Sequence, residues 1–413
     1  MRLTASNKKG SNRKRSDRLR IILIAYYLPP GPGGAGNLLM EFCRELTQIC
    51  ELRVICGAKA RYREFDHQLN FPIRRVIRPL PKELPGRIFW AADFVSLTLI
   101  YLIYGLVVGI CFQPDIIWTG NEGSHMVIVG WLLKRLLARP WVCFAHGEQV
   151  PIPEARYTSA RISSALLPKA DSVLANSSFT ASRLKAIGCQ RVTVIHPGVD
   201  TDFFQPGNQE KARLRLGFPL DRKILLSVGR LDPRKGHLSV IDILPSLRHD
   251  LLVRHDLQVL YIIIGDGKCR KRIKQRINEL GLEHTVHLLE PVGRNCLISA
   301  FQAADIFVLP NMILTDGDAE GFGMVFLEAS ACGLPVIGGR SGGATDAIAD
   351  GKSGYLVDPD DRSDLLTHLC KILKDRDLAE KLGQCGRQRC LQDFQWAKSA
   401  RLLHSVFTTL ARS

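Results

Sequence analysis

Two glutamates eight residues apart, Glu320 and Glu328, flank a Gly321-Phe322-Gly323 turn and precede Cys332-Gly333-Leu334-Pro335-Val336. The stretch reads as a loop ending at Glu320, a tight turn, a short helix of good formers starting near Gly323 and closed by Gly333, and a buried strand from Leu334. At about 1.5 Å per residue the two carboxylates lie on the order of 12 Å apart, beyond the roughly 5–9.5 Å that a glycosidase acid/base pair needs. One compact reacting centre therefore does not use both. A long polyhydroxylated ligand laid along the helix start can use both, each carboxylate accepting from different hydroxyls, while free amides at the helix start favour an anion. Taken alone, the pair also fits the charged start of an ordinary helix in an α/β domain.

Three other groupings could do chemistry. Gly229-Arg230-Leu231-Asp232-Pro233-Arg234-Lys235-Gly236 lies between a strand and a helix and can place two cations against a pyrophosphate, with a helix N-terminus behind it. His146-Gly147-Glu148 stands at the C-terminal end of a buried strand, the edge where open α/β sheets bind ligands, although a lone histidine is more often structural. Gly31, Gly33 and Gly36 follow a strand at the spacing of a dinucleotide fingerprint, which raises an NAD-dependent oxidoreductase. Three prolines stiffen that loop, and the next strand, Leu52 to Cys56, ends without an acidic residue for a ribose. Gly351-Lys352-Ser353 is an accidental phosphate-loop match, because Asp346 stands where the leading glycine is required. No metal site is expected: Asp316-Gly317-Asp318 has the spacing of a metal motif but leads into Glu320.

The elements that must position these residues are alternating strands and helices. Leu19 to Leu28 is nearly continuous apolar sequence, a strand buried on both faces, and a helix is expected from Asn37 to about Cys50. Further strands are expected at 141–145, 172–175 and 192–195, then near 223–228, 257–264, 285–288, 305–309, 334–337 and 355–357. Such alternation means parallel sheets with right-handed crossovers. The 413 residues suffice for two domains, with a boundary near residue 200. Residues 94–112 carry no charge and are read as a long apolar helix of the first domain, in reach of a membrane interface, and not as a span, because the strand pattern resumes at once.

Twelve scattered cysteines without a Cys-x-x-Cys pair suit reduced, buried thiols. The net charge of +16 is uneven: residues 1–20 hold eight Lys and Arg against Asp17 alone, so they supply +7. This segment lacks the apolar core of a signal peptide and reads as a disordered basic tail, idle or drawn to an anionic surface.

The motifs together, in their order along residues 19–410, closely resemble the retaining glycosyltransferases of family 4. The resemblance implies a GT-B architecture: a basic tail over 1–18, an N-terminal acceptor-binding Rossmann-like domain over 19–200, and a C-terminal nucleotide-sugar-binding domain over 201–390. A final helix over 391–413, opened by Phe394-Gln395-Trp396, would cross back to the first domain. The implied reaction moves a hexose of mannose or glucose type from a nucleotide diphosphate sugar, GDP-mannose or a UDP-sugar, to a lipid or glycan hydroxyl.

The resemblance places Glu320 at the hexose hydroxyls, Glu328 at the ribose, His146 facing the donor sugar, and Arg230 and Lys235 on the diphosphate. It puts the backbone of Gly34 and Gly36 beside the phosphates and acceptor, and Gly265 and Gly267 beside the nucleotide. Val292 falls where the family reads the base, although Glu290-Pro291 replaces its usual Leu-Gly; Gly321, Phe322 and Gly323 border the donor. Asp346 ends a Gly342-Gly343-Ala344-Thr345-Asp346 turn where the family has glutamate, and His196-Pro197-Gly198-Val199-Asp200 matches its interdomain segment without the usual asparagine.

No cofactor and no nucleic-acid partner is implied. The expected location is cytoplasmic, with peripheral attachment to the inner face of the membrane. A sugar-nucleotide epimerase of the same architecture, the oxidoreductase, and a nucleic-acid binder drawn by the tail are the rivals.

Overall fold

The computed structural model describes residues 18–30, 33–78, 87–121, 123–147, 150, 158–255 and 257–412. The basic segment over 1–17, Gly31 and Glu148 lie outside these residues. Two parallel sheets organise the chain, in keeping with its continuous Ile, Leu and Val runs. The first contains β1 (Arg20–Ala25), β2 (Glu51–Gly57), β3 (Ile73–Val76), β4 (Ile116–Asn121), β5 (Trp141–Ala145), β6 (Ser172–Ala175) and β7 (Val192–Val194). The second contains β8 (Arg222–Val228), β9 (Gln258–Ile264), β10 (Val286–Leu289), β11 (Ile306–Leu309), β12 (Val336–Gly339) and β13 (Gly354–Val357).

Strand order is β3-β2-β1-β4-β5-β6-β7 in the first sheet and β10-β9-β8-β11-β12-β13 in the second. Each order reverses once, between β1 and β4 and between β8 and β11, which opens a crevice at the C-terminal strand ends. Register is set at those junctions by Ile21 opposite both Leu52 and Ile116, and by Phe307 opposite Leu226 and Val336.

The helices of the first half are α1 (Gly34–Leu46), α2 (Tyr62–Asp66), α3 (Arg87–Phe112), α4 (Ser124–Leu137), α5 (Thr158–Leu166) and α6 (Ser178–Ala186). The second half carries α7 (Gln209–Leu216), α8 (His237–His255), α9 (Arg270–Glu279), α10 (Arg294–Ala303), α11 (Met324–Ala331), α12 (Ala344–Ala347), α13 (Arg362–Lys374), α14 (Arg376–Asp393) and α15 (Trp396–Arg412). The last of these packs on the first domain: Trp396 sits edge-on to Phe42 of α1, and Phe407 lies 5.5 Å from Trp118 of β4. Ala400, Leu403 and Phe407 share one buried cluster with β1 and α1.

Some element boundaries differ from those expected. The first helix begins at Gly34, not Asn37, because the Asn37 amide already donates to the Gly33 carbonyl, and it ends at Leu46, four residues short of Cys50. The strand expected from Leu334 begins at Val336, since Pro335 has no amide to give; its carbonyl instead accepts from Phe307. Asp361 and Asp375 cap α13 and α14 by accepting from amides in the first turn. All twelve cysteines are free thiols.

Candidate active site

The site lies where the loops after β8, β9, β11 and β12 meet those after β1, β5 and β6. After β8 the chain turns through Gly229 (φ 148°) and passes Arg230 into a short 3-10 turn over Pro233–Lys235 before Gly236 (φ 73°) leads into α8. A Cβ on Gly236 would lie 2.1 Å from the Pro310 carbonyl, so a glycine is what allows this loop to lie against the end of β11. Gly265 and Gly267 carry the loop after β9 against the same segment, where the Leu231 amide donates to Asp266 and the Cys269 amide to Leu231. Their first role is therefore to seat the cationic loop.

At the centre is Glu320. Its Oε2 accepts from Arg234 Nη1 at 2.9 Å and from Lys235 Nζ, and all three side chains are buried. Burial opposes the charge, but Lys235 and then Arg234 outweigh it and hold the carboxyl down to about 2. Glu320 is thus an ionised acceptor aimed by two cations. Arg230 is more than half exposed at the rim, with Asp232 3.5 Å away.

Across the cleft stands His146, at the end of β5. It is buried and stacked on Phe144, and neither ring nitrogen has a hydrogen-bond partner among the described residues. Burial alone pushes it down to about 4, so its ring is neutral at physiological pH and offers one donor and one acceptor. Asn176 Nδ2 holds the His146 carbonyl at 3.1 Å. Gly34, in the first turn of α1, lies close to the Met324 side chain, so the N-terminal ends of α1 and α11 converge on the cleft. Gly36 sits deeper, against the Tyr27 carbonyl.

The other expected residues are placed less centrally. Phe322 is buried among His196 and Phe394, where it packs core and shapes the turn from within. Gly323 (φ 86°) is the residue before α11. Glu328 lies in the second turn of α11, half-buried, and burial pushes its carboxyl up to about 7 against the pull of Arg294. Val292 is part-exposed just after β10, beyond Glu290, which is paired with Arg270.

Nothing in the residue pattern sets Arg234 apart from the cations around it, yet it is the deepest cation of the site and also pairs with Asp318 at 3.3 Å. The signal available was its position beside Lys235 in the glycine-flanked loop. A second feature joins the domains: Asp346 Oδ2 accepts from the Ser178 amide of α6 at 2.7 Å and pairs with His196 Nε2 at 2.8 Å. Arg183 of α6 donates to the Gly317 carbonyl. Only the fold brings these partners together.

A cavity of about 770 Å³ opens in the first domain at the ends of β1 and β2, lined by Tyr26, Tyr27, Lys59, Arg61, Tyr62 and Arg78 among others. Its aromatic and cationic walls suit a hydroxylated, anionic ligand. Among the described residues no group of three or more His, Cys, Asp or Glu could hold a metal ion.

Residues 32–203 match the glycosyltransferase family 4 profile and residues 208–389 that of the glycosyl transferases group 1. The chain is 32% identical over 392 residues to the GDP-mannose-dependent alpha-(1-6)-phosphatidylinositol monomannoside mannosyltransferase of Mycolicibacterium smegmatis, covering 92% of this chain and 97% of that one. It is 33% identical to the D-inositol 3-phosphate glycosyltransferase of Corynebacterium jeikeium over 68% of this chain and 70% of that one. In fold it is similar to sucrose-phosphate synthase from Thermosynechococcus elongatus (TM-score 0.78, 22% identity, 96% of this chain and 100% of that one). It is likewise similar to Anabaena HepE in complex with UDP and glucose (TM-score 0.75, 21% identity, 95% and 100% covered).

Proposed function

Since the chain belongs to the group 1 glycosyl transferases of family 4, a hexosyltransferase with a nucleotide diphosphate sugar donor, we propose that its donor is GDP-mannose and its acceptor a lipid-linked hydroxyl. The GDP-mannose-dependent mannosyltransferase similar along nearly its whole length supports the donor. The aromatic and cationic cavity of the first domain supports an acceptor with an anionic, hydroxylated head. The enzyme works from the cytoplasm at the inner face of the membrane.

The observation that carries the site assignment is Glu320, ionised and held by Arg234 and Lys235, directly across from His146. In the reaction the bond between the anomeric carbon and the diphosphate oxygen breaks, and its electron pair leaves with the nucleotide diphosphate. Lys235, held beside Glu320, and Arg230 at the rim neutralise the charge that grows there. Glu320 accepts from hexose hydroxyls, and neutral His146 makes a hydrogen bond to the sugar from the other domain. The acceptor hydroxyl adds to the anomeric carbon on the face the diphosphate leaves, its proton passing to a departing diphosphate oxygen, which retains configuration. Glu328 accepts from the ribose, and the backbone near Gly34 and Gly36 borders the phosphates.

Purified protein is offered labelled GDP-mannose, UDP-glucose and UDP-N-acetylglucosamine, with and without membrane lipid extract. Label passing from GDP-mannose into the lipid fraction is the expected result. Label entering only from a UDP-sugar overturns the donor, and label entering only water-soluble glycans overturns the acceptor.

A further inference from the structure

Helix α3 is the part of this fold that the reaction does not explain. After Asp93 it runs to Phe112 without a charge. Its inner face, with Leu97, Tyr101 and Phe112, is buried against the domain. Gly105 and Gly109 on that face are there for close approach: a Cβ on either would lie 2.7 or 2.4 Å from Leu133 or Leu137 of α4. The helix is therefore packed on the domain along its inner face, and it lies in the chain between β3 and β4 of one sheet, so it does not cross a bilayer.

Among the described residues nothing covers the outer face in this way. Val95, Leu99, Ile103, Val107 and Ile110 recur every three or four residues and expose 49 to 66% of their surface, a single apolar stripe about 22 Å long at about 1.5 Å per residue. Singly exposed apolar residues need no explanation, but a contiguous helix-long stripe does. Beside its C-terminal half lies a groove of about 530 Å³ lined by Arg20, Arg53 and Arg74 together with Val107, Cys111 and Phe112. The guanidinium groups of Arg20 and Arg53 sit 4.5 and 4.9 Å from the Phe112 ring, and that of Arg74 lies 5.8 Å from the Tyr104 ring. The basic N-terminal segment joins the fold at this same place, through Arg18 and Arg20. An apolar stripe edged by cations along one side matches the layered chemistry of an anionic bilayer, acyl chains under phosphates. A second copy of this chain would bring the same three arginines against each other.

We infer that the outer face of α3 lies in the interfacial layer of an anionic membrane, with Arg20, Arg53 and Arg74 at the level of the lipid phosphates. This rests on the reading that the acceptor is a lipid. It adds the surface that holds the enzyme to that lipid's membrane and puts the cavity beside Tyr26 and Arg78, walled in part by Leu97 and Tyr101 of α3, next to the headgroups.

The test is co-sedimentation of the full chain with phosphatidylglycerol or phosphatidylcholine vesicles, without sugar acceptor, for wild type, a Leu99→Glu/Ile103→Glu variant and an Arg53→Glu/Arg74→Glu variant. Far-UV circular dichroism checks folding, and titration with GDP-mannose checks the donor site. Wild type is expected to sediment with phosphatidylglycerol at low salt and to be released by high salt. Each variant should bind those vesicles about tenfold more weakly or worse, with donor binding unchanged. Wild type that ignores phosphatidylglycerol overturns the inference, as do folded variants that sediment like wild type. So does a stripe variant whose only change is from dimer to monomer in size-exclusion chromatography. Donor binding and transfer are read separately, so loss of either leaves the vesicle result standing, and the reverse holds as well.

Discussion

Gly321 and His146 meet backbone to backbone across the cleft: a Cβ on Gly321 would lie 2.0 Å from the His146 carbonyl oxygen. Gly147 adds to the same contact, since its own Cβ would come within 2.7 Å of the Gly321 Cα. The turn beside Glu320 thus has to be glycine for a reason outside its own loop. Its missing side chain is what lets the second domain close on His146.

Gly321→Ala should therefore hold the domains apart without unfolding either. Misplacing His146 relative to Glu320 by about 1 Å is expected to lower kcat on the order of 10²-fold. Small-angle scattering should show a larger radius of gyration, and unchanged kcat with unchanged dimensions would contradict the closed contact.

Glu320→Gln should reduce transfer by roughly 10²-fold or more while nucleotide binding changes little, because the carboxylate is assigned to the sugar. Steady-state rates and GDP titration separate the two. The carboxyl is held down to about 2, so its ionisation supports the fold above the ordinary carboxylate range and that support fades as pH falls from about 4 toward about 2. The variant should lose this part of the acid dependence.

Lys235→Ala and Arg230→Ala should both weaken donor binding and slow transfer, with EDTA having little effect on wild type. A firm requirement for magnesium or manganese in the rate assay would overturn the assignment of these cations to the leaving diphosphate.

Arg234→Met leaves the buried Glu320 with Lys235 as its one remaining cation and takes this partner from the part-exposed Asp318. Losing one partner of such a pair typically costs about 3–5 kcal/mol, so a clear drop in denaturation midpoint is expected. Arg230→Ala, at an exposed position, should leave that midpoint nearly unchanged.

Glu328 provides a test by pH. Its carboxyl, pushed up by burial to about 7, is charged at a cost to the fold, so its contribution makes stability fall as pH rises from the ordinary glutamate range through about 7. With Glu328 assigned to the donor ribose, whose hydroxyls would donate to the ionised form, the donor KM should rise as pH falls through about 7. Glu328→Gln should flatten both dependences, which thermal melts and KM measured across that range will reveal.

Much of the architecture is local enough to be written in the chain. Short apolar runs such as Ile21–Ala25 and Val259–Ile264, rich in β-branched residues and bounded by turn signals, read as strands covered on both faces, and strands that alternate with helices mean parallel sheets. The glycine-flanked Arg230–Lys235 loop and the Glu320–Gly323 turn were visible because backbone turns and charges leave their mark within a few residues. What tertiary structure alone decided is pairing across long separations. Arg234 reads as one more loop cation until β8 and β11 lie side by side and 86 residues of chain close on Glu320. Asp346 reads as a conservative replacement until α6 brings the Ser178 amide to it. Residues 94–112 read equally as core or as interface, because apolarity has no direction until α4 covers Gly105 and Gly109 and leaves Leu99 and Ile103 uncovered. Residue type sets what a side chain can do, whereas burial and partners, which set its charge and its aim, depend on which distant segments the folded sheets bring beside it.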